Sequence, residues 1–443
     1  MLTLVGASRI LVDPRAQSSD AENGAELAIG GGGTIVAHGA PGSEELDVRG
    51  CVITPGLVNA HHHLLQSGFR TLPGTRGAAM RDWLPAMAAA YASAGIDAAL
   101  TRTTAAVGLA ESLLSGVTTV ADHQLNWPDP SGSDDPVGDT VGIARAIADT
   151  AETLGTRLVF VRGTARDAPE LAACSADAIV ADLLGHDHAG GVSGDGRRQI
   201  AVGPAGVHSD SEATFRALGE VAARHGLRRR TQANEQVDTE IALARYGRRP
   251  LDLLDEWGWL APDVTIAHLC DVTDAEIQLL ADRGVAGTHA PGCDVPMGWG
   301  VAPVARLRAA GVVVGLGTSG GGSNDAGHLL ADARLAMQVS SLVGPQLPAR
   351  TVLAMATEDG ALGLGRDDIG HLRPGARGDA CVWDVAGVAD AGVADPIAGL
   401  LWASPGRRPR HVIVGGHVVV RDYRLVTANE DELVAAMERR LGR

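Results

Sequence analysis

The stretch Pro55-Gly56-Leu57-Val58-Asn59-Ala60-His61-His62-His63 decides how this chain is read. It follows Val52 and Ile53, a short apolar run that reads as a buried strand. In an extended strand, residues i and i+2 point to the same side. His61 and His63 therefore leave one strand end together. Two imidazoles so placed are half of a metal site. A hydrogen-bonded polar cluster would explain an isolated pair, so the rest of the chain has to decide.

At 443 residues the chain has room for a barrel of roughly 250 residues and an accessory domain. Hydrophobic residues make up 45% and glycines number 58, which suits many tight strand–helix loops. The formal net charge of −16 leaves no basic stripe for phosphates and argues against a nucleic-acid partner. The five cysteines (Cys51, Cys174, Cys270, Cys293 and Cys381) are widely spaced, with no CxxC pair. Neither a disulfide framework nor a zinc knuckle is indicated, and a cytoplasmic location is expected. The opening residues MLTLVGASRILVDPRA lack the basic start and long apolar segment of a signal peptide. No run of about 18 apolar residues suggests a membrane span. All 37 of the Lys and Arg residues are arginine, which excludes Schiff-base chemistry and a carbamylated-lysine metal bridge.

Outward from the histidine strand, the grammar changes twice. Residues 1 to about 54 read as short strands broken by turns: Leu2–Val5, Ile10–Val12, Leu27–Ile29, Thr34–Val36 and Leu46–Val48. Gly30–Gly33 reads as a turn, since neither a lysine nor a helix follows to make it a phosphate loop. Residues 55–369 alternate apolar runs with amphipathic helices. The runs are Val117–Val120, Leu158–Val161, Ile200–Val202, Val264–Ala267, Val285–Thr288 and Val312–Leu316, with Val141–Thr153 among the helices. Repeated strand–helix units predict a parallel (β/α)8 barrel. Strand grammar returns from 370 to 443 at Ala380–Trp383, His411–Val414 and His417–Val420, before a helix near Glu430–Leu441. The expected fold is α/β: a TIM-like barrel over 55–369 and a β-sandwich shared by 1–54 and 370–443.

Barrel enzymes place their chemistry at the C-terminal strand ends. The polar residues that follow the apolar runs are His61, His63, Asp122, His123, Gln124, Arg162, His208, Gln232, Glu235, His268, His289 and Ser319. Trp83 and Trp127 offer flat walls for a planar ring, and Gln66 and Gln124 offer edge hydrogen bonds. His208, Gln232 and Ser319 complete the expected substrate contacts.

Several segments together resemble the 8-oxoguanine deaminase and triazine hydrolase branch of the amidohydrolase superfamily. They are VNAHHHLLQ (58–66), MRDWL (80–84), SGVTTVADH (115–123), GWLAPDVTIAHL (258–269), Ser323-Asn324-Asp325 followed by ARLAMQ, and LGRDDIGHLRPGARGDACVWD (364–384). The resemblance implies a distorted barrel beside a β-sandwich. It also implies one zinc or iron, and hydrolysis of C–N or C–Cl bonds on nitrogen heterocycles. Of the family's metal ligands it assigns His61, His63 and His268.

Two further ligand positions depart from the pattern. Gln232 stands where the strand-five pattern THLAE has a histidine, and Ser319 stands where the strand-eight pattern has an aspartate that is also the general base. The strand-seven pattern HCPSSN becomes His289-Ala290-Pro291-Gly292-Cys293-Asp294, which adds a carboxylate. Glu235 keeps the family's proton-shuttling position. Losing an imidazole and the ligand carboxylate lowers metal affinity by orders of magnitude, so the expected cofactor is none or weakly bound zinc. Three readings stay open: catalysis without metal, weak metal on three histidines, or an inactive ligand-binding protein. The expected catalytic set is Glu235, His268, His289 and Asp294. The expected function is C–N hydrolysis, by deamination or a related step, on a purine-, pterin- or triazine-like compound. The expected partners are that substrate and further copies of the chain, as a homodimer or higher oligomer, with no membrane.

Overall fold

The computed structural model describes residues 1–16, 26–185 and 188–442. The histidine stretch is the first strand of a parallel barrel, Leu57–His63, and all seven residues are buried. Burial on both faces is what a helix-covered parallel strand requires. The ring continues through Val117–Gln124, Arg157–Thr164, Arg198–Pro204, Arg228–Ala233, Val264–His268, Ala286–His289 and Val314–Leu316. Ser319–Gly320, just beyond the eighth strand, pairs in parallel with His62–His63 and closes it. Each apolar run read as a barrel strand is one. The fifth strand, Arg228–Ala233, has no apolar run to announce it.

The helices follow from capping and spacing. Pro136–Leu154 starts at Asp135, whose side chain accepts from Gly138 N, and carries proline in its first turn. It stops at Gly155, which takes the left-handed φ of 81°. Ile143, Ile147, Ala151 and Leu154 fall on one face and are buried. Each large aliphatic side chain so buried contributes about 1.5–3 kcal/mol. Val58, Ala121, Val159, Val161 and Ala201 fill the barrel interior, with Ala361, Leu364 and Ile369 packed against them.

Two further sheets form the sandwich. One runs Ile35–Val36, Glu26–Ile29, Leu2–Val5, Glu44–Asp47 and is wholly N-terminal. The other runs Arg9–Ile10, Cys51–Pro55, Ala380–Asp384, His411–Val414, His417–Arg421, Arg424–Leu425, so both termini share it. The joining ladder is antiparallel, from Ala380 opposite Pro55 to Asp384 opposite Cys51. Leu4, Ile29 and Val48 pack against Ile53, Val382 and Ile413 between the sheets. Among the described residues, no helix is long and apolar enough to cross a membrane.

Candidate active site

The first strand turns His61 and His63 to one side, with ring centroids 4.8 Å apart. His268, at the end of the sixth strand, brings its ring within 5.3 Å of His61. His63 Nδ1 donates to His123 O at 2.7 Å, which leaves Nε2 toward the barrel mouth. His62 faces away, and its Nδ1 lies 2.6 Å from Ser319 O. Burial keeps His61, His62 and His63 neutral. It drives His61 well below the ordinary value, helped by the neighbouring imidazoles, and takes His63 to about 4. His61 Nε2 is buried without a partner.

His268 is engaged at both ring nitrogens. Nδ1 lies 2.6 Å from Asp294 Oδ1, and Nε2 lies 3.1 Å from Gln232 Oε1. Gln232 is fixed by its own amide, which donates to Ala205 O at 3.2 Å, so Oε1 must be the atom facing His268. Glu235 Oε1 stands 3.7 Å from the same Nε2. Burial works against charge on His268, but Asp294 and Glu235 outweigh it and raise its pKa. Burial also opposes ionisation of Asp294, and His268 with His289 reverses that to about 2. For Glu235 burial dominates. His268 offsets part of it, Asp238 and Asp294 add to it, and the carboxyl is pushed up to about 8.

Strained backbone places these groups. Asn234 (φ 59°), Gln236 (φ 79°), His268 (φ 78°) and Ser319 (φ 55°) are all left-handed. Such residues cost about 1–3 kcal/mol each and persist where the surroundings over-determine them. After the fifth strand the device is Asp238, whose carboxylate accepts from Asn234 N and Glu235 N at 2.6 Å each. That clamp aims Glu235 into the mouth.

A cavity of about 180 Å³ opens there. His63, Gln66, Trp83, His208, Gln232, Glu235 and Ser319 line it. His61, His268, His289 and Asp294 stand outside this lining; His268 is bonded to Gln232, and His289 Nδ1 lies 3.6 Å from Asp294 Oδ2. Gln124 and Trp127 do not line the cavity. Gln124 turns its amide to Asn126 O at 2.6 Å, and Trp127 lies under the Arg162 guanidinium with its Nε1 donating to Gly163 O. A tryptophan beside a buried arginine is better satisfied by that stack than by an open wall. The second aromatic wall is instead Trp299, whose ring is 5.1 Å from that of His268. Sequence reasoning missed Trp299, Met297 and Arg166, all of which line the cavity. The signal for the first two was Met297-Gly298-Trp299-Gly300, a bulky pair set between glycines just after the strand-seven turn.

The family's metal position does not fit a divalent cation here. His268 Nε2, which would face an ion held by His61 and His63, carries a hydrogen toward Gln232 Oε1. Ser319 offers a hydroxyl in place of the carboxylate. His61 and His63 alone remain at that position, below the three protein ligands of a catalytic zinc.

The Amidohydrolase family model matches residues 52–419. An 8-oxoguanine deaminase of Pseudomonas aeruginosa is 34% identical over 412 residues, 89% of this chain and 87% of that protein. An isoxanthopterin deaminase from an unknown prokaryotic organism is 32% identical over 431 residues, 88% of this chain and 86% of its own. A mutant atrazine chlorohydrolase of Arthrobacter aurescens, crystallised with zinc and atraton, superposes with a TM-score of 0.90 at 30% identity and covers 100% of both chains. The chain belongs to the amidohydrolase family.

Proposed function

We propose that this protein hydrolyses a C–N bond of a small planar nitrogen heterocycle of the purine, pterin or triazine kind, releasing an exocyclic amine as ammonia. The carrying observation is Glu235. A protonated, desolvated carboxyl stands at the edge of a cavity walled by Trp83 and Trp299, with Oε2 free of any partner. A flat ring enters between the aromatic side chains. Glu235 donates its proton to a ring nitrogen, which draws electron density from the adjacent carbon. The resulting carboxylate takes a proton from water as its oxygen adds to that carbon. The adduct collapses when the same proton passes to the amine, which leaves as ammonia, and the hydroxyl on that carbon returns its proton to the Glu235 carboxylate as the C=O bond forms. Gln66 is placed for edge recognition, because its Oε1 accepts from Gly322 N at 2.9 Å and its side chain lines the cavity. No step passes through a metal at the family's position. The deaminases named above support the substrate class.

A second reading, binding without turnover, is favoured by Gln232 and Ser319. One experiment separates the two. Amino-substituted purines, pterins and triazines are incubated with the protein and ammonia release is followed, alongside calorimetric titration with the same panel. Release from at least one ring supports the enzyme. Saturable binding with no release from any member supports the ligand-binding reading.

A further inference from the structure

At the cavity wall and behind it the barrel buries four carboxyl groups. Glu235, Asp238, Asp294 and Asp332 are all within 5% of full burial. Asp294 is the innermost, at 0% exposure, and its Oδ2 has no hydrogen-bond partner. His289 Nδ1, 3.6 Å from that oxygen, is also buried and unpartnered. Unpaired polar atoms in such a place are costly unless something compensates them.

The tautomer of His268 sharpens the point. Gln232 Oε1 is an acceptor by the argument above, so Nε2 carries hydrogen and Nδ1 is the nitrogen turned to Asp294 Oδ1 at 2.6 Å. Two acceptors that close require a positive centre, either a proton or a metal ion. Cys293 Sγ adjoins them. Ligand atoms of His268, Cys293 and Asp294 all lie within 4.8 Å of one another. Zinc holds sulfur at about 2.3 Å and nitrogen or oxygen at about 2.0–2.2 Å, so small side-chain rotations would close such a cluster around it.

We propose that the strand-seven turn carries a transition-metal site built from His268 Nδ1, Cys293 Sγ, the Asp294 carboxylate and His289 Nδ1, displaced from the position that Gln232 and Ser319 have dismantled. The ion replaces the proton between His268 and Asp294 and the thiol proton of Cys293. His268 then donates Nε2–H to Gln232, the outer hydrogen bond that a ligating imidazole makes. Cys293 also lines the cavity, which provides an entry path. The donor set of two imidazoles, one thiolate and one carboxylate suits zinc or cobalt in tetrahedral geometry. The chain thus exchanges an imidazole and a carboxylate on strands five and eight for a thiolate and a carboxylate on strand seven.

The test is cobalt titration of the full-length protein, reduced and stripped of metal with a chelator that is then removed. Stoichiometric binding with a sulfur-to-cobalt charge-transfer band in the near ultraviolet is expected. Cys293→Ser should abolish the band, and Asp294→Asn should weaken binding at least about tenfold. Cys270→Ser, His61→Ala and His63→Ala should leave the band in place. The wild-type spectrum is decisive even where a variant fails to fold. No stoichiometric cobalt, or binding without a sulfur band, overturns the proposal. So does a band that is lost with Cys270 or with His61. None of these readouts depends on catalytic activity, so the site and the proposed hydrolysis stand or fall separately.

Discussion

Glu235 and Asp122 show how one side-chain type takes different roles from its surroundings. Glu235 reaches the cavity and keeps its proton near neutrality, as a general acid must. Glu235→Gln should lower turnover by about two to four orders of magnitude with little change in melting temperature. A variant that keeps wild-type turnover would remove the acid–base role. The wild-type rate should also fall as pH rises through the raised Glu235 value, because the proton donor is then lost. Asp122 is equally buried but never meets the cavity. Its Oδ1 accepts from Leu64 N at 2.8 Å, and burial raises it to about 7. The unfolded chain keeps its ordinary value of 3.8, so the folded state holds the Asp122 proton more tightly. Stability from this group is full below about pH 4 and is lost as pH rises through 7. Asp122→Asn keeps the acceptor and cannot titrate. Its melting temperature should match wild type near pH 4 and exceed it increasingly toward pH 7, as read by thermal denaturation across that range.

At the scale of elements, the fourth and fifth strands test how tightly the barrel is drawn. A Cβ on Gly203 would sit 1.5 Å from Arg230 O, with backbone on the facing strand and no flexible atom to yield. Gly203→Ala should therefore give little soluble protein, or a transition destabilised by at least several kcal/mol. Gly142 is the control. It lies in the helix Pro136–Leu154 with nothing within 4 Å of an added Cβ, so Gly142→Ala should raise stability by about 0.5–1 kcal/mol. Equal soluble yields and melting points for the two variants would show that the close strand approach is not constraining. The fifth strand also shows why an arginine run need not be a solvated face. Arg229 pairs with Asp263 and lies over Trp259, while Arg230 turns inward and donates to Ala60 O. No periodicity in Arg228-Arg229-Arg230 announces a barrel strand. Only neighbours supplied by other elements make it one.

Across the whole molecule, one buried ion pair ties the barrel to the shared sheet. Arg157 opens the third strand and meets Asp379 through two bonds of 2.6 and 2.9 Å, with both side chains 3% exposed. Asp379 also accepts from Gly415 N at 2.7 Å. Removing one partner strands the other's charge in a dry place. Asp379→Ala should cost about 3–5 kcal/mol, and replacing both residues with leucine should cost less than that single change. Chemical denaturation of the two variants checks the order. A double variant weaker than Asp379→Ala would show that the pair stabilises beyond its own compensation.

Much of this architecture is local and therefore legible in sequence. Apolar runs, helix periodicity and turns repeat every few residues, so the alternation from Val117 to Leu316 and the returning strands at Ala380 and His411 could be read directly. The histidine pair was legible for the same reason, since i and i+2 on a strand must share a side. Tertiary structure decided what no local pattern encodes. Barrel closure brought Gln232 on strand five against His268 on strand six, and Asp294 on the strand-seven turn against the other side of that ring. It also gave Trp127 to Arg162 and left Trp299 to wall the cavity. Hydrogen-bond partners far apart in sequence depend on strand stagger to within an ångström, and stagger is a property of the closed ring.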